Sequence, residues 1–225
     1  MKQVLIIVIL IAVVAAIYIF GNPITNEIGK VDISTAPKPI SMTDRGFYQI
    51  YYPENYEDVS IKRMVLVIQP DGSYLPYITY WQEQADIHGF ALAGIENWTG
   101  ELITQFNIDA REKLGVGKIY LTGFSSGGYA SCERGLSNQK YVDGIIPMGA
   151  YCSDYDLNDQ NQTTPILTII GAQDNFALDY DLVRPDERVY SYVNKINTEY
   201  VIIPNLGHQF PVSYMDEVGW WVIKN

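Results

Sequence analysis

The sequence predicts an α/β fold, a mostly parallel sheet with helices on both faces. Three observations carry that expectation. Short apolar runs rich in Val, Ile and Leu alternate with longer amphipathic segments from Phe47 to the C-terminus. Glycine-containing turns follow several of the apolar runs, where a parallel strand hands the chain to a crossover helix. The hydrophobic fraction is 48 % over 225 residues, enough to bury one sizeable core.

The elements follow in order. Phe47–Tyr52 reads as an early antiparallel strand and Met64–Gln69 as a buried one. Tyr77–His88 has helical periodicity and ends before Gly89, a C-terminal cap at which a histidine suits the helix dipole. Phe90–Ile95 is the next strand and Gly100–Leu114 the next helix. Lys118–Thr122 is a strand, and a helix starts near Gly128. Strands over Val142–Met148 and Pro165–Ile170 come next, then a helix over Glu187–Glu199. A strand over Tyr200–Ile203 and a helix over Met215–Ile223 close the chain.

The N-terminus differs in kind. Val4–Phe20 is apolar throughout, with Lys2 before it. Its length, about 17 residues, is at the lower limit for crossing a bilayer. Residues 1–21 are therefore an uncleaved membrane anchor or a signal peptide, with Val14-Ala15-Ala16 as the small-residue cleavage site. The anchor is preferred, because cleavage there would leave Ile17–Phe20 exposed. Residues 22–44, with Pro23, Pro37 and Pro39, read as a linker with a little extended structure, and 45–225 as the globular domain. Both readings put that domain outside the cytoplasm, either membrane-anchored or secreted. Cys132 and Cys152 suit such a compartment, as a disulfide or as two buried thiols.

Composition excludes several function classes. The net charge is −11, with 15 Lys and Arg against 26 Asp and Glu and no basic run, which excludes nucleic acid as a partner. Two histidines and two cysteines at these spacings make no zinc site. No phosphate-binding glycine loop opens a helix after a strand. No metal and no cofactor is expected.

Gly123-Phe124-Ser125-Ser126-Gly127 carries the chemistry. It reads G-x-S-x-G between a strand and a helix, the setting of a nucleophile elbow, in which a sharp turn lifts a serine hydroxyl off the end of a sheet. A serine needs a base, and the base needs an orienting acid. His208 follows the 200–203 strand, whereas His88 sits at a helix end. Asp174 follows the 165–170 strand, and Asp179 and Asp181 lie further into the next segment. Ser125, Asp174 and His208 thus stand in the chain order that such a triad requires. The oxyanion would be held by the N–H of Ser126 and by an N–H after the 64–69 strand, Ser73 first and Tyr74 second.

With these residues the chain resembles the α/β-hydrolase superfamily. Within it the likeness is greatest to the polyhydroxybutyrate-depolymerase and feruloyl-esterase-like esterases. Trp81–Ala91, Gly123–Gly128 and the pairing of Gly171 and Asp174 with Gly207-His208 carry it, across about residues 45 to 225. The resemblance implies a serine carboxylesterase acting on a small or polymeric ester. Asp71-Gly72 stands where members often have His-Gly. The short segment from Tyr151 to Pro165 leaves no room for a lid, which implies an open cleft suited to bulky esters. Tyr74, Trp98 and Tyr151 follow three separate strands and are the expected substrate-contacting aromatics. Two alternatives share the scaffold: a peptidase, and a non-catalytic surface-binding protein.

Overall fold

In the computed structural model the chain divides into two units, Met1–Ala36 and Pro37–Asn225. The described residues are 39–43, 46–69, 74–95, 99–152, 163–174 and 197–225, with side chains from Tyr48 onward. The apolar run Val4–Phe20 and most of the expected helix over 187–199 lie outside them. Among the described residues no helix is long and apolar enough to cross a membrane.

The second unit is built on one sheet, eight-stranded among the described residues. Its strands are β1 (Pro39–Thr43), β2 (Gly46–Tyr51), β3 (Arg63–Ile68), β4 (Ala91–Ile95), β5 (Lys118–Phe124), β6 (Gly144–Met148), β7 (Ile166–Gly171) and β8 (Thr198–Ile203). Their spatial order is β1-β2-β4-β3-β5-β6-β7-β8. β2 pairs antiparallel with β1 and with β4, and the ladders from β4 through β8 are parallel. The order runs outward from β3 to β4 on one side and to β5 on the other. A parallel sheet opens a crevice at such a reversal, beyond the carboxyl ends of the strands.

Helices α1 (Leu75–His88), α2 (Gly100–Leu114), α3 (Ser126–Ser137) and α4 (Met215–Lys224) cover the two faces. Successive strand residues alternate between faces, so each helix layer meets every second one. Met64, Leu66 and Ile68 of β3 join the cluster that holds Ile103 and Phe106 of α2. Val65 and Val67 join the cluster that holds Trp81 of α1 and Val218 of α4. β3 to β7 are buried on both sides almost throughout, hence the continuous apolar runs in the sequence.

Helix boundaries follow local chemistry. α1 begins at Leu75 with Pro76 in its first turn, two residues earlier than its periodicity predicts, because proline tolerates the unpaired N–H positions there. It ends at Gly89, whose φ of 72° is the left-handed cap expected from the sequence. The Thr99 side chain caps α2 by accepting the Leu102 N–H at 3.4 Å.

Two stretches sharpen or correct the sequence reading. β1 is a short extended piece within residues 22–44, read as a linker with a little extended structure, and it pairs with β2. Thr198 and Glu199, read as the end of a helix, open β8 by pairing with Ile166 and Leu167 of β7. For β8 a distant strand supplies the hydrogen bonds that decide the conformation, whereas β1 pairs with the next strand in the chain.

Candidate active site

Ser125 occupies the turn between β5 and α3 with φ 54° and ψ −117°. A left-handed φ is costly for any residue with a Cβ and persists only where the surroundings enforce it. Here the Ser125 N–H donates to the Met148 carbonyl of β6 at 2.8 Å. The flanking glycines permit the close approach. A Cβ on Gly123 would stand 2.4 Å from the Ile68 carbonyl oxygen, and one on Gly127 would stand 2.3 Å from it. The elbow therefore lies directly against the end of β3, at the crevice.

The three residues drawn from separate loops come together at this point. The Ser125 hydroxyl donates to His208 Nε2 at 2.8 Å. On the other side of the ring, His208 Nδ1 lies 2.9 Å from Asp174 Oδ2 and 3.0 Å from Oδ1. A carboxylate accepts only, so Nδ1 carries the proton and Nε2 is free to accept from the serine. Asp174 is 0 % exposed, whereas the His208 side chain keeps 21 % of its surface. Backbone bonds lock the acid loop to the histidine loop. Ala172 N–H donates to Ile203 at 2.9 Å and Gln173 N–H to Leu206 at 2.9 Å. Gly171 permits that crossing, since a Cβ there would lie 2.2 Å from the Leu206 carbonyl oxygen.

Ser126 is the first residue of α3, and the first ladder bond of that helix runs from the Tyr129 N–H to Ser125 at 3.1 Å. The N–H of Ser126 therefore belongs to the donors a helix N-terminus leaves unpaired, where negative charge is stabilised. Ser73 and Asp71 lie outside the described residues. One polar residue escaped the sequence reading. Gln69, just beyond β3, is 5 % exposed, and its Oε1 is sealed from solvent without a partner, against Gly127. A glutamine ending an otherwise apolar strand was the available signal.

The expected substrate aromatics do not share one fate. Tyr74 is 2 % exposed, so it is a core residue and not a wall of the cleft. Its ring fills the space that Gly94 leaves, since a Cβ at Gly94 would stand 2.1 Å from it. Tyr151 is half-buried and meets the Tyr129 ring edge-on at 5.6 Å. Trp98 lies outside the described residues. Cys132 of α3 and Cys152, just past β6, form a disulfide with a Cα separation of 5.1 Å. It ties the elbow helix to the segment that carries Tyr151. Among the described residues no cluster of His, Cys, Asp or Glu is placed to hold a metal ion.

Comparison with known proteins gives a family and a fold. The sequence model described as phospholipase/carboxylesterase matches residues 86–223. No curated protein matches the sequence. The fold is similar to that of the Est1E protein of Butyrivibrio proteoclasticus, with TM-score 0.59 and 14 % identity over 84 % of this chain and 100 % of that one. It is similar to a dienelactone hydrolase of Anabaena variabilis, with TM-score 0.62 and 17 % identity over 84 % and 96 % of the two chains. A lidless α/β serine hydrolase of Xanthomonas campestris gives TM-score 0.60 and 16 % identity over 84 % and 94 %. At these identities the likeness is one of fold.

Proposed function

The chain belongs to the phospholipase/carboxylesterase family of α/β-hydrolases, and from that premise we propose that it is a serine carboxylesterase working through Ser125, His208 and Asp174. The observation that carries the proposal is the hydrogen-bond chain from the Ser125 hydroxyl through the His208 ring to the buried Asp174. Ser125 Oγ attacks the ester carbonyl carbon as His208 Nε2 takes its proton. The oxyanion that forms lies at the N-terminus of α3, where the N–H of Ser126 stabilises it. When the tetrahedral intermediate collapses, the carbon–oxygen bond to the alcohol breaks and His208 returns the proton to the departing oxygen. Water then attacks the acyl-serine by the same route and releases the acid.

The substrate is a neutral ester reached from an open cleft. Bulky or polymeric esters of the kind handled by depolymerases and feruloyl esterases fall within that class, with Tyr151 and Trp98 as contacts. The apolar run Val4–Phe20 holds the enzyme at a membrane with its catalytic domain outside the cytoplasm, or is removed on secretion. Mass measurement of the protein from the membrane and soluble fractions of its cells separates these two outcomes.

A fluorophosphonate reagent tests the chemistry directly, because only a serine with a working base and oxyanion site reacts. Full-length protein is expected to be labelled at Ser125 and to hydrolyse short p-nitrophenyl esters, and Ser125→Ala to lose both. Equal ester turnover by wild type and Ser125→Ala would sink the proposal. Cleavage of matched amides but not esters would replace it with a peptidase.

A further inference from the structure

Four aromatic rings make a continuous wall beside the triad histidine. Phe124, the residue before Ser125, has its ring 5.0 Å from the His208 imidazole. Phe210, two residues beyond the histidine, lies 6.1 Å from Phe124. Tyr77 of α1 reaches both, at 5.9 Å and 5.7 Å. Tyr80, one turn further along α1, stacks on Phe210 at 4.6 Å and 20°. These separations are those at which aromatic rings attract one another.

The wall is not simply core. All four residues are partly exposed, Tyr77, Phe124 and Phe210 with one side packed on the core, whereas Trp81, next to Tyr80 on the same helix, is 0 % exposed. α1 thus commits Trp81 to the sheet and turns Tyr77 and Tyr80 to the loops that carry Ser125 and His208. Aromatic surface left partly open beside reacting atoms is the usual lining of a small-molecule site.

Position decides which half of an ester meets it. In the reaction proposed above, His208 hands its proton to the leaving alcohol, so the alcohol departs on the imidazole side of Ser125. Phe124 packs on that imidazole, and Phe210, Tyr77 and Tyr80 extend the surface away from it. We propose that these four rings form the subsite for the alcohol half of the ester, and that the preferred leaving alcohol carries a neutral, flat apolar group, an arylalkyl alcohol foremost. The four residues contain no cation, so an anionic alcohol gains nothing here. The inference rests on the esterase reading and deepens it.

Acetate esters of different alcohols test it, because acetate holds the acyl half constant. Ethyl, n-hexyl and 2-phenylethyl acetate are compared with full-length enzyme by kcat/KM. The 2-phenylethyl ester is expected to exceed the ethyl ester by about tenfold or more, with the hexyl ester between them. Tyr80→Ala and Phe210→Leu are each expected to lower the phenylethyl-to-ethyl ratio by about fivefold. A ratio cancels any loss of folded enzyme, so a destabilised variant still reports. Trp220→Ala, which removes a ring 64 % exposed on α4, is expected to leave the ratio alone. A wild-type ratio near one, a ratio untouched by both wall variants, or selectivity that appears only when the acyl half is varied would overturn the subsite. Fluorophosphonate labelling of the same preparation separates the two levels. Labelled enzyme with no alcohol preference sinks the subsite alone, whereas unlabelled enzyme without ester turnover sinks both readings.

Discussion

Ser125 shows what a single residue costs and returns. Its backbone conformation carries strain on the order of 1–3 kcal/mol, a cost the sheet offsets by holding its N–H on Met148. The elbow works only because Gly123 and Gly127 let two backbone segments touch. Gly127→Ala sets a Cβ 2.3 Å from the Ile68 carbonyl oxygen and 2.4 Å from Gln69 Oε1. The first of these is backbone and cannot swing aside, so the N-terminal turn of α3 must shift, and the serine with it. A misplacement of that size costs on the order of 100-fold in rate. Turnover of p-nitrophenyl acetate is expected to fall by at least that factor, with a lower melting temperature in circular dichroism. Activity within a few-fold of wild type would show that the contact is dispensable. Gln69 illustrates the opposite economy. Its Oε1 is sealed from solvent against Gly127, where an apolar residue would have left no polar atom to satisfy.

At the scale of elements, the ends of α1 and α3 matter most. His88 ends α1, where the helix dipole favours its charged form. Burial beside Phe90 and Trp220 outweighs that and holds its pKa below the ordinary histidine value, and Asp216 pulls the other way. The unfolded chain therefore takes up a proton at about pH 6.5 that the folded chain still refuses. Stability present above that pH is lost as the pH falls toward the lowered folded value. His88→Gln is expected to flatten the fall in melting temperature between pH 7.5 and 5, and an unchanged profile would contradict this. The disulfide anchors α3 from the other side. Its cysteines are 20 residues apart in sequence, so opening it returns loop entropy worth about 3 kcal/mol to the unfolded chain. The double variant Cys132→Ser, Cys152→Ser is expected to melt about 5–10 °C lower without reductant. Wild type in reductant is expected to approach it.

At the scale of the whole molecule, the sheet decides where the second unit begins. β1 covers the outer edge of β2, and an uncovered strand edge is a template for association. A chain starting at Arg45 removes β1, whereas one starting at Pro37 keeps it. The shorter chain is expected to self-associate at concentrations where the longer one scatters as a monodisperse species. Equal behaviour of the two would show that β1 adds nothing to the edge. The charge of −11 acts at this scale as well. It repels polyanions over the whole surface.

Much of this was written in the chain itself. Apolar period, glycine breaks and the G-x-S-x-G turn are local signals, so the alternation of strands and helices was readable, as was the placing of Ser125, Asp174 and His208 beyond strand ends. Only the tertiary structure decided what depends on a distant partner. Thr198 and Glu199 are strand because β7, some thirty residues earlier, pairs with them. Tyr74 is buried because Gly94 of β4 makes room for its ring. Tyr77 and Phe210 are far apart along the chain, and nothing near either announces the other. Local patterns report what a segment prefers by itself. A site wall is a property of segments that meet, and the meeting is set by the order of the strands.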